Sequence, residues 1–251
     1  MFTPERHQRI LQCLALHGRA TIGALAAELG VSDDTVRRDL RTLEQQGALR
    51  KTHGGALALD VPNLARSDRA GLFQPVKQQM GQRAAQLISA GQTLFIDAGS
   101  TLLEVARHLP AQPFTVITHS LDVAQCLSCR PDIRLFLTGG EWDARQRLFG
   151  GASAEAFVRQ FRADWAILGA CAADTRLGLM ASEASDAEIK RGMLACSAQA
   201  LLVADHSKFG QHAPHAVAPL SRFNALVTDF PLGPIDGVDI HLVQVDCKSQ
   251  E

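Results

Sequence analysis

The sequence has no apolar run long enough to span a membrane, although 46% of its 251 residues are hydrophobic. Residues 1–6 read Met-Phe-Thr-Pro-Glu-Arg and lack the apolar segment of a secretory signal. A charged fraction of 20% is typical of a globular protein with a hydrophobic core. We therefore expect a cytoplasmic protein with no membrane partner, long enough for two domains.

The sequence also lacks the paired cysteines of a zinc site. Only Cys126 and Cys129 form a C-x-x-C, and no second pair of ligands stands at a suitable spacing. Residues 121–129 are predicted to form a helix packed on a sheet, so we interpret the two thiols as buried rather than as ligands or a redox pair. Scattered cysteines are typical of a reducing cytosol, and we expect no metal and no cofactor. The six cysteines are Cys13, Cys126, Cys129, Cys171, Cys196 and Cys247.

A strong net charge is missing as well. The formal net charge of −1 argues against a protein whose entire surface binds nucleic acid. Residues 1–57 contain eight Lys or Arg against six Asp or Glu, whereas the remaining residues contain seventeen against twenty. This small asymmetry has the sign expected for a DNA-binding head on a neutral body.

Residues 31–40, Val-Ser-Asp-Asp-Thr-Val-Arg-Arg-Asp-Leu, are the most informative segment. Ser32 can cap a helix here, and the two aspartates after it favour the positive end of the helix dipole. Helical spacing places one apolar stripe inward, at Val36, Leu40 and Leu43. Guanidinium groups on the flank and outer side can pair with guanine edges or bind phosphates, and these belong to Arg37, Arg38 and Arg41. Taken alone, the segment could equally be a solvated amphipathic helix.

The flanking segments favour DNA recognition. A first helix is predicted from Thr3, with an inner stripe at Ile10, Leu11 and Leu14, and a second over residues 21–29, ended by Gly30. The very short connection to Ser32 forces the second and third helices into a helix-turn-helix. Residues 48–57, basic and with a Gly-Gly turn, predict a β-hairpin wing. The candidate DNA contacts are Ser32, Asp34, Thr35, Arg37, Arg38, Arg41, Arg50, Lys51 and His53.

This N-terminal pattern resembles the DeoR family of bacterial transcriptional regulators. The first half of the family signature is matched by Arg6, Ile10 and Leu14, and the second half by Ser32, Thr35, Val36, Arg37, Arg38, Asp39 and Leu40. A carboxylate is a poor reader of DNA, so we interpret Asp39 as structural, paired with a neighbouring arginine or capping backbone groups.

Beyond a linker predicted at residues 58–76, apolar strands alternate with helices, which indicates a mostly parallel sheet covered on both faces. The sequence therefore predicts an α/β protein, with a small winged helix domain at 1–57 and a doubly wound domain at 77–251. The helices are predicted over 77–88, 100–109, 121–127 and 185–198, and the strands over 93–96, 114–118, 133–137, 165–168, 201–204, 225–228 and 240–245.

Polar, glycine-rich clusters follow five of these strands, at the sheet edge where α/β proteins bind ligands. The cluster from Asp97 to Thr101 combines a glycine turn, hydroxyl groups and a helix N-terminus, which can present N–H groups to an anion. Lys208 could supply a cation for phosphate. The candidate ligand contacts are Asp97, Gly99, Ser100, Thr101, His119, Gly139, Gly140, Gly169, Glu183, Lys190, Asp205 and Lys208. For Glu183 and Lys190 an ordinary place on the helix surface is the default interpretation, and His119 could equally be structural.

Nearly all of residues 77–230 also resemble the DeoR family, through its effector domain. The motifs that match lie at residues 97–101, 116–118, 137–140, 168–170 and 203–210, together with Lys190 and Met193. The resemblance implies a fold similar to ribose-5-phosphate isomerase and a phosphorylated sugar as effector. His119 stands where the family frequently has asparagine, and the stretch from Cys171 to Asp174 and Met180 also depart from its pattern. These positions flank the predicted pocket, so the identity of the sugar stays open.

The resemblance implies a repressor of carbohydrate metabolism that binds double-stranded operator DNA as a homodimer or homotetramer and releases it on binding the sugar phosphate. An aldose–ketose isomerase is the rival from another class, with Asp97, Asp205 and Glu183 as candidate bases. A fused DNA-binding head and the lack of a clear base argue against an enzyme. A transcriptional activator, or a regulator with another small ligand, remains open.

Overall fold

The computed structural model describes residues 3–17, 19–45, 49–57, 73–232 and 240–245. The chain forms two compact units, and the continuous part of the second begins at Gln74. Most of the predicted linker, residues 58–72, lies outside the described residues, as does Cys247. The boundaries proposed for the two domains therefore stay predictions.

The N-terminal unit contains the three predicted helices and the predicted hairpin. Its elements are α1 (Thr3–His17), β1 (Arg19–Thr21), α2 (Ile22–Leu29), α3 (Asp33–Gln45), β2 (Arg50–Thr52) and β3 (Gly55–Leu57). The strand β1 was not predicted, because three residues are too few to show an alternating pattern. It pairs antiparallel with β3, which also pairs with β2, so the wing is a three-stranded sheet.

The helix-turn-helix is fixed by side-chain caps and by one small core. Thr21 Oγ1 accepts the N–H of Ala24 at 3.2 Å at the start of α2, and Ser32 Oγ accepts the N–H of Thr35 at 3.3 Å at the start of α3. The predicted apolar stripes meet in this core, whose members include Ile10, Leu14, Ile22, Leu25, Leu29, Val36, Leu40 and Leu43. The predicted cap and inner face of α3 are thus confirmed.

The C-terminal unit follows the predicted alternation of strands and helices. Its helices are α4 (Gln74–Ala85), α5 (Ser100–His108), α6 (Leu121–Leu127), α7 (Gly151–Val158) and α8 (Ala184–Ala195). Its strands are β4 (Thr93–Ile96), β5 (Phe114–Thr118), β6 (Ile133–Leu137), β7 (Glu141–Asp143), β8 (Leu148–Gly150), β9 (Ala163–Gly169), β10 (Ala172–Asp174), β11 (Gly178–Ala181), β12 (Ser197–Val203), β13 (His215–Ala218), β14 (Ala225–Thr228) and β15 (His241–Gln244).

Seven of these strands form one parallel sheet in the order β15-β14-β12-β9-β4-β5-β6. Successive residues of each strand point to opposite faces, so the sheet separates two cores. Phe95 belongs to the core that contains α7 and α8, whereas its neighbours Leu94 and Ile96 belong to the core that contains α4, α5 and α6. Helices therefore cover both faces, and the predicted doubly wound fold is confirmed.

Several predictions of detail were wrong. The helix before β4 begins at Gln74 rather than at residue 77, and the helix predicted to reach residue 198 ends at Ala195, since β12 begins at Ser197. Three short strands, β10, β11 and β13, form an antiparallel sheet, and β7 pairs with β8 in a hairpin. Segments of three or four residues give too little periodicity for prediction.

The cysteine interpretation needs correction too. Cys129 is exposed and Cys126 is half-buried, because α6 ends at Leu127 and Cys129 lies in the turn beyond it. None of the described helices is both long and apolar enough to cross a bilayer.

Candidate functional site

The predicted ligand contacts lie at the carboxyl edge of the parallel sheet. The chain places β5 and β6 on one side of β4, and then returns to place β9, β12, β14 and β15 on the other. The order of strands thus switches between β4 and β9. Open α/β sheets bind ligands at such a switch point, outside the carboxyl ends of the strands.

Asp97 follows β4 directly and is fully buried at this point. Its Oδ2 accepts the N–H of Gly169, the last residue of β9, at 2.9 Å, and its Oδ1 accepts the N–H of Ala98 at 2.8 Å. The ammonium of Lys190 also donates to Oδ2, and Nε2 of His119 lies 3.0 Å from Oδ1. Four predicted site residues from β4, β5, β9 and α8 are therefore joined directly.

This network holds Asp97 and Lys190 in their charged forms. Burial would raise the pKa of Asp97, but the charge of Lys190 and the hydrogen bond from His119 lower it overall. Burial would likewise lower the pKa of Lys190, yet the charges of Asp186 and Asp97 raise it. Lys190 is thus a buried ion-pair residue, so the default interpretation of a helix-surface lysine was wrong.

Asp186 belongs to this charged cluster, and the sequence prediction missed it. Its Oδ1 lies 3.2 Å from Nζ of Lys190, and Sγ of Cys171 lies 3.8 Å from its Oδ2. The spacing of four residues between Asp186 and Lys190 on one helix is a signal that could have identified it.

Ligand atoms of Asp97, His119 and Asp186 lie within 4.8 Å of one another, a grouping that could hold a metal ion. The ammonium of Lys190 is bonded to both carboxylates, however. A cation is therefore already present between them, and the arrangement is that of an internal ion-pair cluster.

The N-terminus of α5 lies next to this cluster. Gly99 precedes the helix with φ of 142°, a conformation that side chains rarely permit, and no side chain caps the helix. The first N–H groups of a helix have no intrahelical acceptor. Because Ser100 and Thr101 occupy that first turn, the backbone and two hydroxyl groups can together bind an anion.

Gly139 and Gly140 follow β6 at the same edge. The φ of Gly140 is 110°, and a Cβ there would lie 2.5 Å from the carbonyl oxygen of Gly150. This close contact brings the two ends of the β7–β8 hairpin together beside the edge.

Asp205 and Lys208 follow β12. Asp205 is fully buried, and its Oδ1 accepts the N–H of Ser207 at 3.0 Å, whereas its Oδ2 has no hydrogen-bond partner among the described residues. Burial would raise the pKa of Asp205, but the charge of Lys208 and the hydrogen bond from Ser207 lower it. Lys208 thus compensates the charge of Asp205. Glu183 is exposed at the N-cap of α8.

The predicted DNA contacts lie on the exposed side of α3 and on the wing. Arg37 pairs with Asp34 at 3.0 Å, whereas exposed Arg38 and Arg41 form no ion pair with the residues described here. The other predicted contacts that are exposed are Ser32, Asp34, Arg50 and His53, and those that are half-buried are Thr35 and Lys51.

Known families match both parts of the chain. Residues 6–61 match the DeoR-like helix-turn-helix domain, and residues 73–230 match the DeoR C-terminal sensor domain. The chain belongs to the DeoR family. It is a DNA-binding transcriptional regulator of this type, as its residues predicted.

Named relatives of this DeoR-family member are similar over almost their whole length. The HTH-type transcriptional repressor GlcR of Bacillus subtilis is 34% identical over 231 residues, 91% of this chain and 89% of the relative. The glycerol-3-phosphate regulon repressor of Escherichia coli is 33% identical over 229 residues, 90% of this chain and 91% of the relative. Among solved structures, ribose 5-phosphate isomerase A of Methanocaldococcus jannaschii covers 54% of each chain, with 14% identity and a TM-score of 0.41.

Proposed function

We propose that the protein represses a carbohydrate-metabolism operon and that a phosphorylated sugar, bound at the carboxyl edge of the sheet, relieves the repression. The observation that carries the proposal is the uncapped N-terminus of α5 beside the buried Asp97–Lys190 pair at the switch point. The helix terminus suits a phosphate group. The names of the relatives, GlcR and the glycerol-3-phosphate regulon repressor, support a ligand of this class.

The DNA-binding half of the proposal rests on α3. Its inner face is buried in the N-terminal core, so the arginine-bearing face is presented outward. A helix of this kind enters the major groove, where guanidinium groups read guanine edges. We propose that Arg38 and Arg41 contact DNA directly and that the wing residues Arg50, Lys51 and His53 contact the backbone.

The proposed repressor acts as an oligomer. An operator that consists of two half-sites is bound by two DNA-binding domains, one from each subunit, so we propose a homodimer or homotetramer. The sugar phosphate must bind the DNA-bound and DNA-free conformations of the protein with different affinities. A ligand with equal affinity for both would not shift the equilibrium between them.

The acid–base properties of the site favour a sensor over an isomerase. A general base works best when its pKa lies near the working pH. The pKa values of Asp97 and Asp205 are both lowered, in spite of burial, by neighbouring lysines and hydrogen bonds. Both carboxylates are therefore weak bases, and we propose that the site binds its ligand without turning it over.

The test is a titration of DNA binding. The purified chain selects a duplex from a random library, and its affinity for this duplex is measured by fluorescence anisotropy. Glucose 6-phosphate, ribose 5-phosphate, glycerol 3-phosphate and inorganic phosphate are then added separately. We expect one of the sugar or polyol phosphates to weaken DNA binding at least about tenfold, and inorganic phosphate to leave it unchanged.

Each other outcome contradicts a separate part of the proposal. Failure to select any duplex contradicts DNA reading by α3. A selected duplex that no phosphorylated compound releases contradicts the ligand class, and a tightened complex contradicts relief of repression. Steady turnover of a sugar phosphate would show that the protein is an enzyme.

A further inference from the structure

We propose that Nδ1 of His119 accepts a hydrogen bond from a hydroxyl group of the ligand, and that this contact selects among phosphorylated sugars. The inference rests on the proposed function, because it requires a hydroxylated ligand at the carboxyl edge of the sheet. The inference specifies which protein atom recognises the ligand, Nδ1 of His119, and which group of the ligand it recognises, a hydroxyl group.

His119 lies at the switch point, and one of its two ring nitrogens has no hydrogen-bond partner among the described residues. The residue follows β5 directly and is fully buried. Its Nε2 lies 3.0 Å from Oδ1 of Asp97. The N–H of Ala98 is directed at both atoms, at 2.8 Å from Oδ1 and 3.0 Å from Nε2. Nδ1 of His119 is also buried and has no hydrogen-bond partner among the described residues.

The environment of Nε2 decides which nitrogen of the ring carries the proton. Asp97 is ionised, and a bare Nε2 would set its lone pair against a carboxylate oxygen at 3.0 Å. A protonated Nε2 instead donates to that oxygen. The N–H of Ala98, which is within reach of both Nε2 and Oδ1, then donates to Oδ1, the nearer and charged acceptor, at 2.8 Å. In the neutral ring only one nitrogen carries a proton, so Nδ1 is an acceptor.

A buried acceptor without a partner costs the desolvation of that atom, and native structures rarely leave it so without a reason. A neutral Nδ1 requires a donor. Phosphate oxygens at neutral pH are mainly acceptors, whereas sugar hydroxyl groups donate. His119 therefore suits the hydroxylated part of the ligand, and the phosphate suits the first turn of α5.

Access to Nδ1 requires a local movement, for which the β7–β8 hairpin is suited. The hairpin is bonded to this position, since the carbonyl of His119 accepts the N–H of Phe149 at 2.8 Å. A pair of glycines stands at each end of the hairpin, at residues 139–140 and 150–151. Glycine pairs at both ends of one short element give its backbone the freedom to move. Such a movement breaks the bond to His119 and the one from the N–H of Leu121 to the carbonyl of Arg147.

Two substitutions separate the two ring nitrogens. Counted in bonds from Cβ, the amide of asparagine reaches the position of Nδ1, and the amide of glutamine reaches the position of Nε2. His119→Asn thus keeps a polar group for the ligand and loses the bond to Asp97, whereas His119→Gln keeps the bond to Asp97 and loses the contact with the ligand. If His119 were only structural, Gln would be the better replacement.

The experiment uses whichever of glucose 6-phosphate, ribose 5-phosphate and glycerol 3-phosphate binds the wild-type chain most tightly, together with its monodeoxy analogues. The melting temperature and DNA affinity of each variant are measured first, so that only folded protein is compared. We expect one deoxy analogue to bind the wild type about ten- to a hundredfold more weakly than its parent. This discrimination should be lost in His119→Gln and largely kept in His119→Asn.

The inference is overturned if His119→Gln discriminates as the wild type does, or if inorganic phosphate alone binds in a way that the Gln variant loses. If no phosphorylated compound binds the wild type, the proposed function fails and this inference fails with it. That result is distinct from binding without discrimination by His119, which overturns this inference alone. If His119→Gln does not fold, the ¹⁵N resonance of Nδ1 in histidine-labelled wild type decides. It should have the chemical shift of a bare nitrogen and move when ligand is added, and an unmoved resonance contradicts the inference.

Discussion

Arg6 on α1 and Asp39 on α3 form a buried, two-point ion pair. Nε of Arg6 lies 2.5 Å from Oδ2 of Asp39, and Nη2 lies 2.9 Å from Oδ1. His7 adds a contact of 3.1 Å from its Nε2 to Oδ1. The pair joins the first helix of the domain to the helix that carries the DNA-facing arginines, so its role is to orient α3.

Removal of one partner should therefore destabilise the N-terminal unit. Asp39→Ala leaves the guanidinium of Arg6 buried without a counter-charge, and we expect a loss of about 3 kcal/mol, measured by calorimetry of the full chain. Asp33→Ala is the matched control, because Asp33 is exposed and lies 3.7 Å from Arg37. The control should change the stability by less than about 1 kcal/mol. Equal stability of the two variants would show that the buried pair contributes nothing.

Arg38→Ala should weaken DNA binding and leave ligand binding intact. An exposed guanidinium that contacts a guanine edge contributes about 1–3 kcal/mol, which corresponds to roughly five- to 150-fold in affinity. Arg37→Ala should also weaken binding, although Arg37 first has to leave Asp34. Arg83→Ala, on the exposed side of α4, is the control. Unchanged DNA affinity in both α3 variants would mean that another surface reads the DNA.

Two glycines in helices should respond in opposite ways to alanine. A Cβ at Gly81 would lie 2.6 Å from the backbone carbonyl carbon of Glu104, whereas a Cβ at Gly192 would meet Val158 at an ordinary 3.6 Å. Gly81→Ala should force α4 from α5 and destabilise the C-terminal unit by about 1–3 kcal/mol. Gly192→Ala should stabilise α8 by up to about 1 kcal/mol, because alanine is the better helix former. Urea denaturation measures both, and effects of the same sign would contradict the close packing of α4 on α5.

His206 should make the C-terminal unit less stable as the pH rises. Burial lowers the pKa of His206, but the hydrogen bond to Asp229 and the charges of Asp229 and Asp205 raise it overall. A raised folded-state pKa gives a stabilisation that is complete below the unfolded value of about 6.5 and is lost as the pH rises through the folded value. Melting curves of the wild type between pH 6 and 9 should show this decline. His206→Asn, which has no titrating group, should flatten it, and an unaltered slope would rule His206 out as its source.

Ser100→Ala and Lys208→Ala should reduce the response of DNA binding to the sugar phosphate. Ser100 stands in the first turn of α5, where its hydroxyl group adds a donor to the backbone N–H groups, and Lys208 lies close enough to Asp205 to lower its pKa. DNA release is measured by anisotropy with increasing ligand, and we expect the midpoint to rise at least about tenfold. Release at the wild-type concentration in both variants would remove these residues from the ligand site.

Local signals in the sequence determined much of the architecture. The cap at Ser32, the stripe through Val36, Leu40 and Leu43, and the apolar strands followed by glycine turns depend only on neighbours within a few residues. These features predicted the helix-turn-helix, the parallel sheet and the edge at which the polar clusters gather. They could not reveal β10, β11 and β13, whose few residues are held by partners distant in the chain.

The pairing of the charged groups was decided by the tertiary structure alone. The sequence indicated that Asp39 would pair with a neighbouring arginine or cap backbone groups, but folding selected Arg6, which is 33 residues away. The sequence placed Asp97 and Lys190 among the site candidates, yet the bond between them spans 93 residues and exists only because the fold brings Lys190 of α8 to the residue that follows β4. Helical and strand periodicity are set by the local backbone and can be read from the chain, whereas a buried ion pair or the bare nitrogen of His119 depends on which distant elements the folded core brings into contact.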